Sequence, residues 1–260
     1  MMITHIPTIA KDGHAITSVD TWFAYAPPKD GEVQWVDGRS AKELAKAWFP
    51  ISGQAQIPTE LALLLSIHAD FVTAEIKNGI PEVRIKLDDY PGETRNADLV
   101  LLAKRHDETI LLTIEAKADE QFDMTIGEKL RSAAKGSNIP NRVEHLCKAM
   151  FGSTPTEKPA LKELRYQLLH AMAATLIAAR SHDAAKALFI VYEFATDKTL
   201  AEKRRANHND LVAFLDILSN GTIRSLDNGS IVGPIVVPGG KHVPSSIPLF
   251  VAKIKRGQGC

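Results

Sequence analysis

Asp98, Glu115 and Lys117 are the residues of this sequence whose types and spacing suit chemistry. Two apolar runs, 98–104 and 109–117, are separated by Arg105-His106-Asp107-Glu108, a charged stretch that reads as a turn. Closing it as a hairpin sets Leu99 opposite Ile114, Leu101 opposite Leu112 and Ala103 opposite Ile110, one apolar sheet face. The same register sets Asp98 directly opposite Glu115, with Lys117 two residues further along that strand. Directly opposed Cβ atoms lie about 4.5–5.5 Å apart, and like charges there are destabilising. A divalent cation removes that cost, because Mg2+ takes carboxylate oxygens and keeps positions for water and substrate phosphate. A bound ion lowers the pKa of its water and neutralises charge on phosphoryl oxygens. A neighbouring ammonium orients that water or stabilises the developing negative charge. Two carboxylates and a lysine at a strand end therefore suit hydrolysis of a phosphodiester. The plainer alternative is a surface hairpin end in which Lys117 screens Glu115.

The elements that must position these residues are legible as patterns. A helix is predicted over 41–48, with Ser40 as its cap and Pro50 as its stop. A second begins at Pro58-Thr59-Glu60 and runs to Ile67. Residues 82–87 alternate polar and apolar as a half-buried strand does, and the two runs of the hairpin follow. Residues 161–180 read as a long helix, 186–194 as a buried strand and 200–218 as another helix. Behind them come short β-like segments punctuated by Asn220-Gly221, Asn228-Gly229 and Gly239-Gly240. The core order is helix, three strands, helix, strand. That is an α/β (α+β) chain with a central mixed sheet flanked by helices. No stretch has the composition of a flexible linker, so the chain reads as a single domain. Residues 1–37, short strands and loops, are an N-terminal elaboration; 38–195 form the core, and 196–260 a C-terminal helix with short strands.

Asp98 followed by Glu115-Ala116-Lys117, in that order of elements, resembles the PD-(D/E)XK (restriction-endonuclease-like) nuclease superfamily. The resemblance implies that Asp98 and Glu115 bind Mg2+ or Mn2+, that the Ala116 carbonyl adds a ligand, and that Lys117 serves the nucleophile. It implies a metal-site glutamate on the first core helix, where Glu60 stands. A glutamate in a first helical turn is equally favoured by the positive end of the helix dipole. It also implies polar residues from the second core helix, where Arg165-Tyr166-Gln167-Leu168-Leu169-His170 stands. Gln167 and His170 share a face by i, i+3 spacing. Gln167 would support catalysis, and His170 and Arg165 are candidate substrate contacts; Tyr166 and Arg165 also suit packing and surface positions. A closer likeness is to a poorly characterised bacterial family of restriction-endonuclease-like proteins. It runs through the helix at 40–48, Glu115-Ala116-Lys117 with Phe122 beyond, and 165–170, and covers roughly 38–195. The chain departs from the superfamily pattern at Asn96-Ala97, where a proline usually precedes the first acid. The implied activity is a metal-dependent nuclease, on DNA rather than RNA, with restriction or defence suggested by family analogy alone. Many such enzymes cut both strands as homodimers, although no residue of this sequence marks a dimer surface.

Composition bounds the partners. Of 260 residues, 45% are apolar and 24% charged, the balance of a soluble globular protein. Lys+Arg and Asp+Glu both count 31, so bulk charge alone would not hold a polyanion, which leaves room only for a local basic cleft. Lys203-Arg204-Arg205, with Lys253, Lys255 and Arg256, could contact phosphates or simply form solvated faces. Two cysteines, Cys147 and Cys260, make neither a disulfide framework nor a zinc set, and His145 near Cys147 lacks a second pair. Gly229-Ser230-Ile231-Val232-Gly233 places its serine too early for a nucleophile elbow. Gly239-Gly240-Lys241-His242 lacks P-loop spacing. The start of the chain has no signal-peptide pattern, and the apolar run 168–179 is too short to span a bilayer. A cytoplasmic protein with no membrane partner is expected. Two other functions remain open: a non-catalytic nucleic-acid or protein binding module on the same fold, and a hydrolase of a small phosphorylated molecule.

Overall fold

Hydrophobic alternation on both faces of successive strands builds one sheet between two cores. The computed structural model describes residues 6–51, 53–92 and 94–257. The first five residues and Cys260, which entered the reading of targeting and thiols, lie outside the described residues. The strands are β1 (Thr8–Lys11), β2 (His14–Ala15), β3 (Glu75–Ile85), β4 (Arg95–Arg105), β5 (Glu108–Lys117), β6 (Lys186–Phe194), β7 (Ser230–Ile235) and β8 (Leu249–Arg256). They form an eight-stranded mixed sheet in the order β2-β1-β3-β4-β5-β6-β8-β7. Helices α1 (Val19–Tyr25), α2 (Ser40–Trp48) and α3 (Thr59–Ile67) bury Trp22, Trp48 and Leu61 against Leu99, Leu101, Leu112 and Ile114. Helices α4 (Ile126–Arg131), α5 (Ile139–Phe151), α6 (Tyr166–Ser181) and α7 (Ala201–Leu218) pack on the other face. There Leu146, Leu168 and Phe214 join Val100, Leu111, Phe189 and Val251. This is the mixed α/β class expected, with the helix–three strands–helix–strand order at its centre.

Connection geometry explains the topology. β3, β4 and β5 are antiparallel neighbours, which short turns can join, whereas β5–β6 and β6–β8 are parallel and need crossovers. Helices α4 to α6 make the first crossover and α7 begins the second. The β4–β5 hairpin has the expected register, Leu99 with Ile114 through Ala103 with Ile110. Its turn is tighter than four residues: Arg105 pairs with Glu108, leaving His106, at φ 52°, and Asp107.

Several boundaries differ from expectation for local reasons. Ser40 is the first residue of α2 and not its cap, which is Arg39. The long helix starts at Tyr166, because Pro159–Glu163 winds as a separate 3-10 turn and Leu164 is extended. Helices α1, α4 and α5 were not anticipated. In α5 the apolar stripe is interrupted by Arg142, which is nonetheless buried because its guanidinium meets Asp88 at 2.5 and 3.1 Å. The C-terminal segment contributes an internal strand: β8 lies inside the sheet between β6 and β7, with Leu249–Ile254 buried. No described helix is long and apolar enough to cross a membrane.

Candidate active site

Register alone lines up three carboxylates. Pro81 pairs with Leu99 and Val83 with Ala97, which sets Glu82 beside Asp98. Leu99 pairs with Ile114, which sets Asp98 beside Glu115. Glu82, Asp98 and Glu115 therefore form a row across β3, β4 and β5, on the face covered by α6. Lys117 lies two residues beyond Glu115, opposite Glu193 of β6. Glu82 holds a left-handed backbone, φ 50°, which costs a non-glycine residue about 1–2 kcal/mol. The Lys11 ammonium, donating to the Glu82 carbonyl at 2.9 Å, helps hold it there.

Each functional side chain is fixed by named partners. Asp98 Oδ2 accepts from the Ala116 backbone N–H at 2.7 Å. Glu115 accepts from Arg95 Nη2 on one oxygen and from Gln167 Nε2 at 2.6 Å on the other, where Lys117 Nζ also lies 3.2 Å away. Gln167 Oε1 in turn accepts from Lys117 Nζ and from the Asp123 N–H, both at 3.1 Å. The Phe122 ring lies 5.2 Å from the Lys117 ammonium. Asn96 Nδ2 donates to Glu82. Asn207 of α7 pins the loop after β5, accepting from the Phe122 N–H and donating to the Glu120 carbonyl, both at 3.0 Å.

Burial and crowding set the ionisation. Burial, then the charge of Asp98, pushes the Glu82 carboxyl up to about 8. Burial also raises Asp98, by more than the Arg95 charge and the Ala116 N–H lower it. Lys117 is pushed down, first by burial, with Arg95 adding repulsion. For Glu120 burial acts upward, but the Lys117 charge and the Ser40 hydroxyl hold it below its ordinary value. His170 is held neutral, chiefly by burial and then by the nearby Arg95. A cavity of about 530 Å³ opens over the row. Its lining has six carboxyl side chains (Asp30, Glu82, Asp98, Glu115, Glu120, Asp123) and four basic ones (Lys29, Arg39, Arg95, Lys117).

The structure brings Asp98, Glu115, Lys117 and Gln167 together, with His170 in the same cavity wall. It does not bring Glu60 or Arg165 there. Glu60 accepts from the Tyr192 hydroxyl and lies 3.5 Å from Arg256. Tyr192 is in register with Ala116 and packs in the α1–α3 core, so the sheet separates Glu60 from Glu115. Arg165 donates to Asp210 at 2.9 Å and to the Asp123 carbonyl at 3.3 Å, a latch between α7 and the loop. Sequence reasoning missed Glu82, Arg95, Glu120 and Asn207. Glu82 carried a signal: it opens the alternating stretch that pairs with the strand of Asp98.

Among the described residues, no three His, Cys, Asp or Glu side chains converge as a finished ion cage. The carboxylate oxygens are turned to Arg95, Asn96, Gln167 and the Ala116 N–H. The donor set is nevertheless hard oxygen throughout, the kind Mg2+ and Mn2+ prefer, and Arg95 already sits among these carboxylates as a cation. Neither the curated proteins nor the solved structures contain a match to the chain. A family model described as a domain of unknown function, DUF6946, matches residues 15–258, and the chain belongs to that family.

Proposed function

We propose that this protein is a metal-dependent phosphodiesterase of PD-(D/E)XK type that hydrolyses DNA in the cytoplasm, with restriction or defence as its setting by analogy. The observation that carries the reading is Lys117 held 3.2 Å from Glu115 and 3.1 Å from Gln167, beside Asp98, in a cleft rich in carboxyl side chains. Asp98 and Glu115 would hold the ion. Bound there, Mg2+ or Mn2+ would supply neutralisation of phosphoryl charge and a more acidic water. Lys117, its ammonium destabilised by burial, would direct a hydrogen bond to the attacking water or to a phosphate oxygen. Gln167 would keep Lys117 and Glu115 in mutual register. Water attack would form one P–O bond and break the ester P–O bond on the far side, the leaving oxygen taking up a proton.

A second reading, a binding module without cleavage, is favoured by one feature: Arg95 already neutralises Glu115. Cleavage of plasmid DNA, single-stranded DNA and RNA with Mg2+ or Mn2+ separates the two. Metal-dependent cutting abolished by Asp98→Ala and by Lys117→Ala supports the hydrolase. Metal-independent binding of DNA without cutting, unchanged by Asp98→Ala, supports the module.

A further inference from the structure

We propose that a second cavity, between residues 86–90, α5 and the turn at 239–243, binds a nucleotide, its base against Tyr90 and His145 and its phosphate on Lys148. Among the described residues, this cavity shares only Leu87 with the lining of the carboxylate cleft, and the inference does not depend on the metal-dependent reading.

Shape is the first observation. The cavity holds about 650 Å³, more than the cleft over the carboxylate row, and lies within the roughly 300–1,000 Å³ range of small-molecule sites. Its floor is apolar, with Leu87, Leu146, Ala149 and Val243 all buried. The walls are fixed by their own contacts. Asp88 accepts from Arg142 at 2.5 and 3.1 Å, which ties the loop after β3 to α5. The Gly239 N–H donates to the Ala149 carbonyl at 2.9 Å, and Arg180 donates to the Lys241 carbonyl at 3.2 Å. Gly239 holds φ 80°, and a Cβ there would lie 2.7 Å from that of Ser245, so this turn needs glycine.

The chemistry of the walls selects the occupant. The Tyr90 and His145 rings lie 5.9 Å apart with planes only 15° from parallel, so a flat ring laid against either meets the same orientation. Helical spacing sets Lys148 three residues beyond His145, on the same face of α5. Asp88 is taken up by Arg142, and Asp89 by Lys241 at 2.6 Å and His242 at 3.2 Å. Lys148 has no carboxylate within 4 Å among the described residues, so its exposed ammonium is available to an anion. An apolar floor does not suit a bare phosphate, and a cation at the rim does not suit a neutral ring. A base carrying a phosphate satisfies both. It is either a free nucleotide or a residue of a strand lying in the adjoining cleft, since Leu87 walls both cavities.

The test is calorimetric titration of the full chain with AMP and with TMP, in EDTA. Adenosine, which lacks the phosphate, and ribose 5-phosphate, which lacks the ring, should each bind about tenfold more weakly than AMP. Tyr90→Ala and Lys148→Ala should each weaken AMP binding by about tenfold, the scale of a lost base stack or a lost charged hydrogen bond. Circular dichroism checks folding; if Tyr90→Ala does not fold, Tyr90→Leu, which keeps apolar bulk without the ring, takes its place. A short single-stranded oligodeoxynucleotide, titrated with Ca2+ present, distinguishes the sources. Binding of the oligonucleotide but of neither mononucleotide, weakened about tenfold by both substitutions, assigns the site to a strand residue. Binding of neither mononucleotide nor oligonucleotide overturns the inference. So does nucleotide binding that survives both substitutions, or that Asp98→Ala abolishes while Tyr90→Ala does not.

Discussion

Gln167 holds two functional groups with one amide, its nitrogen on Glu115 and its oxygen on Lys117 and the Asp123 N–H. Removing it leaves both charged groups present but free to drift. Misplacement of about 1 Å can cost on the order of a hundredfold in rate. For Gln167→Ala we expect kcat of metal-dependent cleavage to fall about 10- to 100-fold with KM little changed. An equal loss with a raised KM instead would make Gln167 a substrate contact. Glu60 gives the opposite expectation. Its partners are Tyr192 and Arg256 across the sheet, so Glu60→Gln should leave cleavage unchanged and cost at most about 1 kcal/mol in urea unfolding. Asp98, Glu115 and Lys117 were legible because strand parity and one hairpin register decide which side chains meet. Glu60 was misplaced because a helix assigned by order alone does not say which face of the sheet it covers. Glu82 escaped notice because an acid in an alternating strand looks like a solvent-facing residue until its neighbours are known.

At the scale of elements, the site depends on pieces that do not touch its chemistry. Asn207, on α7 and buried, satisfies the Phe122 N–H and the Glu120 carbonyl, and so sets the loop that carries Phe122 over Lys117. Asn207→Ala leaves both backbone groups without that partner, and we expect a loss of about 2–3 kcal/mol in urea unfolding together with reduced activity. The paired residues Asp88 and Arg142 tie the segment after β3 to α5. Burial pushes the Asp88 carboxyl up, but the hydrogen bonds from Arg142 and the Tyr90 N–H outweigh it, so its folded pKa lies below the unfolded value. Its contribution is therefore complete above the unfolded carboxyl range, near pH 4, and is lost as pH falls through the folded value. Asp88→Asn should destabilise the protein by about 3 kcal/mol at pH 7. Acid titration of urea stability should then show a smaller drop below pH 4 in the variant than in the wild type. That same pair explains why α5 was not read from the sequence, since a buried arginine breaks the apolar stripe by which helices are recognised. β8 was underread because a buried strand in a mixed sheet is simply a short apolar run, with little alternation to mark it.

Across the whole molecule, positive and negative charges cancel, and the cleft itself is lined by more acidic than basic side chains. A duplex approaching that cleft meets repulsion unless divalent ions offset it. Several of the basic residues that could have formed a second anchor are already engaged. Lys203 donates to the Asp119 carbonyl at 2.8 Å, Lys253 lies 3.1 Å from Glu193, and Arg256 lies 3.5 Å from Glu60. Lys255 is exposed at the end of β8. The protein should therefore make few phosphate contacts outside the site, and its DNA affinity should depend on the divalent ion more than on ionic strength. Each phosphate neutralised by a lysine or arginine contributes about −0.9 to the slope of log K against log salt. With Ca2+ present to limit cleavage, we expect a slope no steeper than about −3, and strong loss of binding when Ca2+ is replaced by EDTA. Fluorescence anisotropy on a short duplex, with salt varied at constant Ca2+, measures both. A slope near −6 with binding unaffected by EDTA would mean that a basic surface away from the carboxylate row holds the DNA, and the cleft would then lose its claim to be where the substrate is gripped.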